Sequence, residues 1–68
     1  MKYYFKKELK KEILQGRTIT YIAKELGYHR NHLYRVFSGT YGCSFKTANN
    51  ITKYLDPEVE VDNYFTKL

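Results

Sequence analysis

The chain has no tryptophan, one cysteine, one proline and one methionine in 68 residues, and each shortage excludes something. A single thiol, Cys43, makes no internal disulfide, so no covalent framework holds the fold and a reducing compartment is expected. No apolar run is long enough for a membrane span or a signal-peptide core, so the protein reads as soluble and cytoplasmic. No glycine-rich phosphate loop is present. His29, His32 and Cys43 make three soft ligands where a structural zinc site takes four, so neither metal nor cofactor is expected. A Cys/His nucleophile would need a cleft and an orienting third group, and one small domain leaves little room for either. The chain does not read as an enzyme. Acid is also scarce, with no Asp or Glu between Glu25 and Asp56.

What is present is positive charge, unevenly placed. Residues 1–55 hold 11 Lys or Arg against Glu8, Glu12 and Glu25, a balance of +8, whereas residues 56–68 hold Lys67 against four acids, a balance of −3. A basic body suits a polyanion partner, nucleic acid before membrane, although an unpartnered solvated surface would have the same composition. Eight Tyr and four Phe supply most of the area that so short a chain can bury.

Glycines cut the chain into helix-sized pieces. Phe5, Leu9 and Ile13 recur at i, i+4 and i+8 and predict an amphipathic first helix of roughly three turns, ended by Gly16. Its lysines read as flanking phosphate contacts. The second helix opens on Thr18 as N-cap, turns Ile19, Ile22, Ala23 and Leu26 inward, and stops at Gly27. The third begins near Arg30. The fourth starts from Ser44 as cap, with Phe45, Ala48, Ile51, Thr52 and Leu55 inward. In the tail, residues 56–68, Val59-Glu60-Val61 alternates like a strand, while Asp62 ahead of Tyr64, Phe65 and Leu68 could cap a short helix. The expectation is a single all-α domain, residues 1–68, with a helix-turn-helix over residues 18–39 and a tail open to either strand or helix.

At about 100° per residue, Leu33, Val36 and Phe37 share one arc of the third helix, while Arg30, Asn31, Tyr34 and Arg35 share the opposite one and His32 lies at the flank. Arg can bond guanine O6 and N7 together, and Asn can do the same with adenine N6 and N7. A solvated face would normally mix both signs of charge. The short helix, three-residue turn and second short helix are the spacing of a helix-turn-helix, with Ala23 small where the two helices cross.

Ile22-Ala23, Leu26-Gly27, Leu33, Val36 and Gly39 resemble the core and turn positions of the Cro and repressor-type (XRE-like) family, and Phe45, Ile51 and Leu55 resemble its following helix. That resemblance implies a compact four- to five-helix domain of lambda repressor-like type, base reading by Arg30, Asn31 and Arg35 with Tyr34 close by, and phosphate contacts from Thr40, Tyr41 and Lys46. Thr18, Thr20, His29 and His32 are read as further phosphate contacts. Ile19 replaces the family's phosphate-binding Gln. His29 stands where Ser or Thr caps the recognition helix, so that helix could start at Asn31. The stretch from Ile22 to Phe45 is also similar to one helix-turn-helix unit of the AraC family, through Phe37, Gly42 and Ser44-Phe45, although that module carries two units, more than this length holds.

The function expected is a sequence-specific, double-stranded DNA-binding regulator of phage or mobile-element type, a small Cro-like repressor. It would be controlled by its own concentration, with no small-molecule ligand. A homodimer would use Val59, Val61, Tyr64, Phe65 and Leu68, residues that could equally pack over the first helix. The competing class is a helix-turn-helix scaffold that binds protein, as an antirepressor or enzyme inhibitor, through Tyr28, Tyr34 and Tyr41.

Overall fold

The computed structural model describes residues 1–68. In chain order it has β1 (Tyr3–Phe5), a 3-10 turn (Lys7–Leu9), α1 (Lys10–Leu14), α2 (Ile19–Leu26), α3 (Arg30–Phe37), α4 (Phe45–Leu55), α5 (Val61–Tyr64) and β2 (Phe65–Lys67). The protein is therefore predominantly helical but not all-α, because its two ends meet in an antiparallel pair. Tyr3 lies opposite Lys67, Tyr4 opposite Thr66 and Phe5 opposite Phe65.

This pair corrects the expected three-turn first helix. Tyr3-Tyr4-Phe5 is an aromatic run that suits a pleated, half-buried surface, and its partner arrives from the far end of the chain. Tyr3 also exchanges both backbone hydrogen bonds with Cys43 on its other side. Helix starts only after the 3-10 turn, and Gln15, left-handed at φ 50°, ends it ahead of Gly16. Ile13 and Leu14 are buried from α1.

Helices α2, α3 and α4 begin as the sequence indicates, whereas α5 starts at Val61, ahead of the expected Asp62 cap and with no side-chain cap. Thr18 Oγ1 accepts from the Tyr21 amide at 3.1 Å, and Ser44 Oγ from the Thr47 amide at 3.2 Å. Gly27 closes α2 in the left-handed region at φ 78°. Gly39 is required twice over. Its φ is 76°, and a Cβ there would stand 2.9 Å from the Phe5 carbonyl oxygen, so the loop after α3 can pass β1 only without a side chain.

The core runs from Phe5 through Ile22, Leu33, Val36, Phe37, Ala48 and Ile51 to Phe65. Phe5 meets Phe37 edge-on at 4.7 Å between centroids and Phe65 at 5.5 Å, so β1 joins the tail to α3. Two expectations are corrected here. Phe45, expected inward, is 54 % exposed; as the first residue of α4 it lies against the Tyr3 ring, 5.6 Å away, and burial begins at Ala48. Val61 and Phe65, named as dimer contacts, are buried in this chain's own core, while Val59 and Tyr64 are half-buried and Leu68 is 75 % exposed.

Burial pushes the Cys43 thiol up from 9.0 to about 11, with Lys2 pulling slightly back. A raised value means that the folded state retains the proton. Its contribution to stability is whole below pH 9 and disappears as pH rises through about 11. At pH 8 an aromatic disulfide reagent should therefore label the native protein far more slowly than the denatured chain; equal rates would place the thiol outside the core.

Phe65→Ala should cost roughly 3–5 kcal/mol in a urea melt, enough to unfold much of so small a domain. Thr66→Ala, on the exposed face of β2, should stay within about 0.5 kcal/mol. Equal losses from the two would mean that the terminal pair is not anchored through the core.

Candidate nucleic-acid interface

The candidate interface is built on α2 and α3. The Gly27 amide donates to the Ala23 and Lys24 carbonyls and the Tyr28 amide to Ala23 at 2.9 Å, which folds the turn tightly over Ala23. Ala23 itself is buried where the helices cross. Tyr28 is half-buried, and its hydroxyl accepts from Asn50 Nδ2 at 2.9 Å. This bond ties the turn to α4. The Tyr28 ring also lies 5.6 Å from that of His32, so Tyr28 is a strut of the turn more than an outward contact.

His29 resolves where α3 begins. Its Nδ1 accepts from the Asn31 amide at 3.1 Å, and α3 starts at Arg30. An imidazole can accept there only when neutral, with its proton on Nε2, which leaves that N–H to donate outside the helix.

From this start, Leu33, Val36 and Phe37 turn inward, while Arg30, Asn31, His32, Tyr34 and Arg35 are all exposed. Tyr34 and Thr20 are brought together across the two helices, with 3.3 Å between their hydroxyl oxygens, so a base-reading and a phosphate candidate share one position. Arg35 lies over the Tyr41 ring at 5.7 Å, linking α3 to the following loop. That loop is fixed by Ser38, which donates to the Arg35 carbonyl at 2.6 Å and accepts from the Thr40 amide at 3.2 Å. Thr40, Tyr41 and Lys46 are exposed. Thr18 uses its oxygen as a cap acceptor but keeps its hydroxyl hydrogen to donate.

Electrostatically this face is one-sided. The only ion pair in the protein joins Lys53 to Glu60 at 4.0 Å; Arg30, Arg35 and Lys46 have no carboxylate partner. Beside the turn, a groove of about 350 Å³ is lined by Thr20, Ala23, Lys24, Tyr28, His29 and Arg30. Lys24, absent from the residues expected at the interface, joins them here; it lies one helical turn beyond Thr20 on the same side of α2, a spacing visible in the sequence. His29, His32 and Cys43 do not form a cluster able to hold a metal ion, and no helix is long and apolar enough to cross a membrane.

A polar recognition helix held at fixed angle by a capped partner defines a helix-turn-helix DNA-binding unit. The family model for bacterial regulatory helix-turn-helix proteins of the AraC family matches residues 9–47, running from the end of the 3-10 turn into the first turn of α4. The match takes in 39 of 68 residues, and the chain belongs to that family. No curated protein and no solved structure matches the chain.

Replacing the imidazole acceptor should loosen α3. His29→Ala is expected to cost about 0.5–2 kcal/mol in a urea melt, and His29→Ser to recover most of that. If both variants melt like the parent, the Nδ1 contact does not cap the helix.

Proposed function

We propose that this protein is a sequence-specific, double-stranded DNA-binding transcriptional regulator of phage or mobile-element type, which represses by occupying an operator as a small Cro-like repressor does. The observation that carries this reading is the outward side of α3, with Arg30, Asn31, Tyr34 and Arg35 exposed together and no carboxylate paired with any of them. Arg30, Asn31 and Arg35 take base edges in the major groove. Tyr34, held by Thr20, stands at the margin between bases and backbone. Thr18, Thr20, His29, His32, Thr40, Tyr41 and Lys46 take phosphates, with Lys46 in the first turn of α4, where the helix dipole adds to its charge. Membership of a regulatory DNA-binding family supports the general class.

Binding as a homodimer completes the reading. Two copies would meet half-sites about 34 Å apart, one turn of the duplex. With Val61 and Phe65 buried, the surface left for that contact is Val59, Tyr64 and Leu68.

One observation favours protein binding instead. Tyr21, Tyr34, Tyr41 and Phe45 are each about half exposed, and aromatic side chains are common interface anchors. Selection from random duplexes at low salt separates the two. A regulator yields a defined motif, with log affinity falling linearly against log salt, and a palindromic motif reports the dimer. Arg35→Ala should relax preference at one base position, at roughly 1–3 kcal/mol, whereas Lys46→Ala should weaken all sequences alike. Failure to enrich any motif would remove the regulator reading and leave the scaffold.

A further inference from the structure

Positive charge is concentrated a second time, away from α3. Lys7, Lys10, Lys11 and Arg17, with Leu14 and Gly16, line a groove of about 400 Å³. At about 100° per residue Lys10, Lys11 and Leu14 share one side of α1, with Glu12 on the other, and Lys7 joins them from the 3-10 turn. None of the four cations is in the protein's single ion pair. Lys6 and Lys53 donate to carbonyls of the tail; the groove lysines make no such bond. Arg17 is held at the edge by the Tyr54 ring, 5.9 Å from its guanidinium carbon.

Both ends of the groove touch the helix-turn-helix. Arg17 directly precedes Thr18, the cap of α2. Lys7 packs against Gly39, beyond the last turn of α3, where an added Cβ would lie 3.1 Å from the Lys7 Cβ.

The geometry points to this groove as a second phosphate track, which carries the backbone of the bound duplex beyond the base pairs that α3 reads. The inference rests on the DNA-binding reading above. Small-molecule sites are mostly apolar with a few placed polar groups, and this lining is the reverse, four cations around one apolar side chain. A run of phosphates can engage several of those cations in turn, whereas a lone phosphate leaves most of them unpaired.

The test is the combined variant Lys7→Gln, Lys10→Gln, Lys11→Gln, with its fold checked by thermal melting. It is assayed on a duplex limited to the selected motif and on one extended by about ten base pairs at each end. The parent should bind the longer duplex more tightly. The variant should lose that gain, on the order of tenfold at low salt, with the log–log salt slope reduced by about 0.9 for each phosphate it no longer neutralises. On the short duplex it should match the parent. An unchanged long-duplex affinity, or an equal loss on both lengths, overturns the track, the second outcome marking diffuse attraction. Pyrophosphate at matched ionic strength is the control for a small-anion site: if it shields Lys10 and Lys11 from acylation and the long duplex does not, the inference is also overturned. A parent that binds neither duplex fails the regulator reading itself and takes the track with it.

Discussion

The structure depends on how α3 divides its surface. Eight residues are too few for a stable isolated helix, and five of them, Arg30, Asn31, His32, Tyr34 and Arg35, are exposed. The helix is therefore anchored in the core by Leu33, Val36 and Phe37, all essentially without solvent contact. The Phe5 edge on Phe37, with Phe65 behind it, brings the two terminal strands under α3. A fold this small cannot surround α3 with a thick core, so its terminal strands are placed there. Gly39 belongs to the same arrangement, since α3 can end beside β1 only if the chain turns away without a side chain.

This accounts for what the sequence disclosed. Features fixed by neighbours in the chain were legible: Thr18 and Ser44 as caps, Gly27 as a left-handed stop, and the inward spacing of Ile22, Leu33, Val36 and Ile51. Features fixed by distant partners were not. Phe5, Leu9 and Ile13 have helical spacing, yet Phe5 answers to Phe65, 60 positions away, and periodicity along one segment holds no trace of that. The tail misleads by position: the alternating Val59-Glu60-Val61 forms no strand and runs into α5, while Phe65, which follows the helix start expected at Asp62, opens β2 because its pairing partner is Phe5. His29 was hard to read for another reason. A cap requires only an acceptor in reach of the helix amides, and residue preferences rank imidazole low although its Nδ1 satisfies that requirement here.

At the candidate site, the residue types of α3 and its exposed arc followed from spacing, but the couplings between elements did not. Tyr34 to Thr20, Arg35 to Tyr41 and Tyr28 to Asn50 each cross from one element to another. They turn a row of polar side chains into a face with limited freedom. Ordering long side chains costs up to about 2 kcal/mol each, so a contact already made in the free protein lowers what binding must supply. Arg35 stacked on Tyr41 is part-ordered in this sense, whereas Arg30 and Asn31, with no side-chain partner, would meet that cost in the proposed complex.

Charge placement completes the picture. The acidic tail does not neutralise the body at large; it takes Lys53, through Glu60 and the Pro57 and Val59 carbonyls, and Lys6, through the Asp62 carbonyl. The remaining cations keep their mutual repulsion, which weakens a compact state, and the fold tolerates this because none of them is buried. That repulsion is relieved when a polyanion arrives, so neutralisation contributes to binding and to stability through the same groups. A carboxylate placed beside α3 would relieve the free protein and oppose the complex. The gap in acid from Glu25 to Asp56 is where the two demands conflict most, and there the sequence keeps the repulsion.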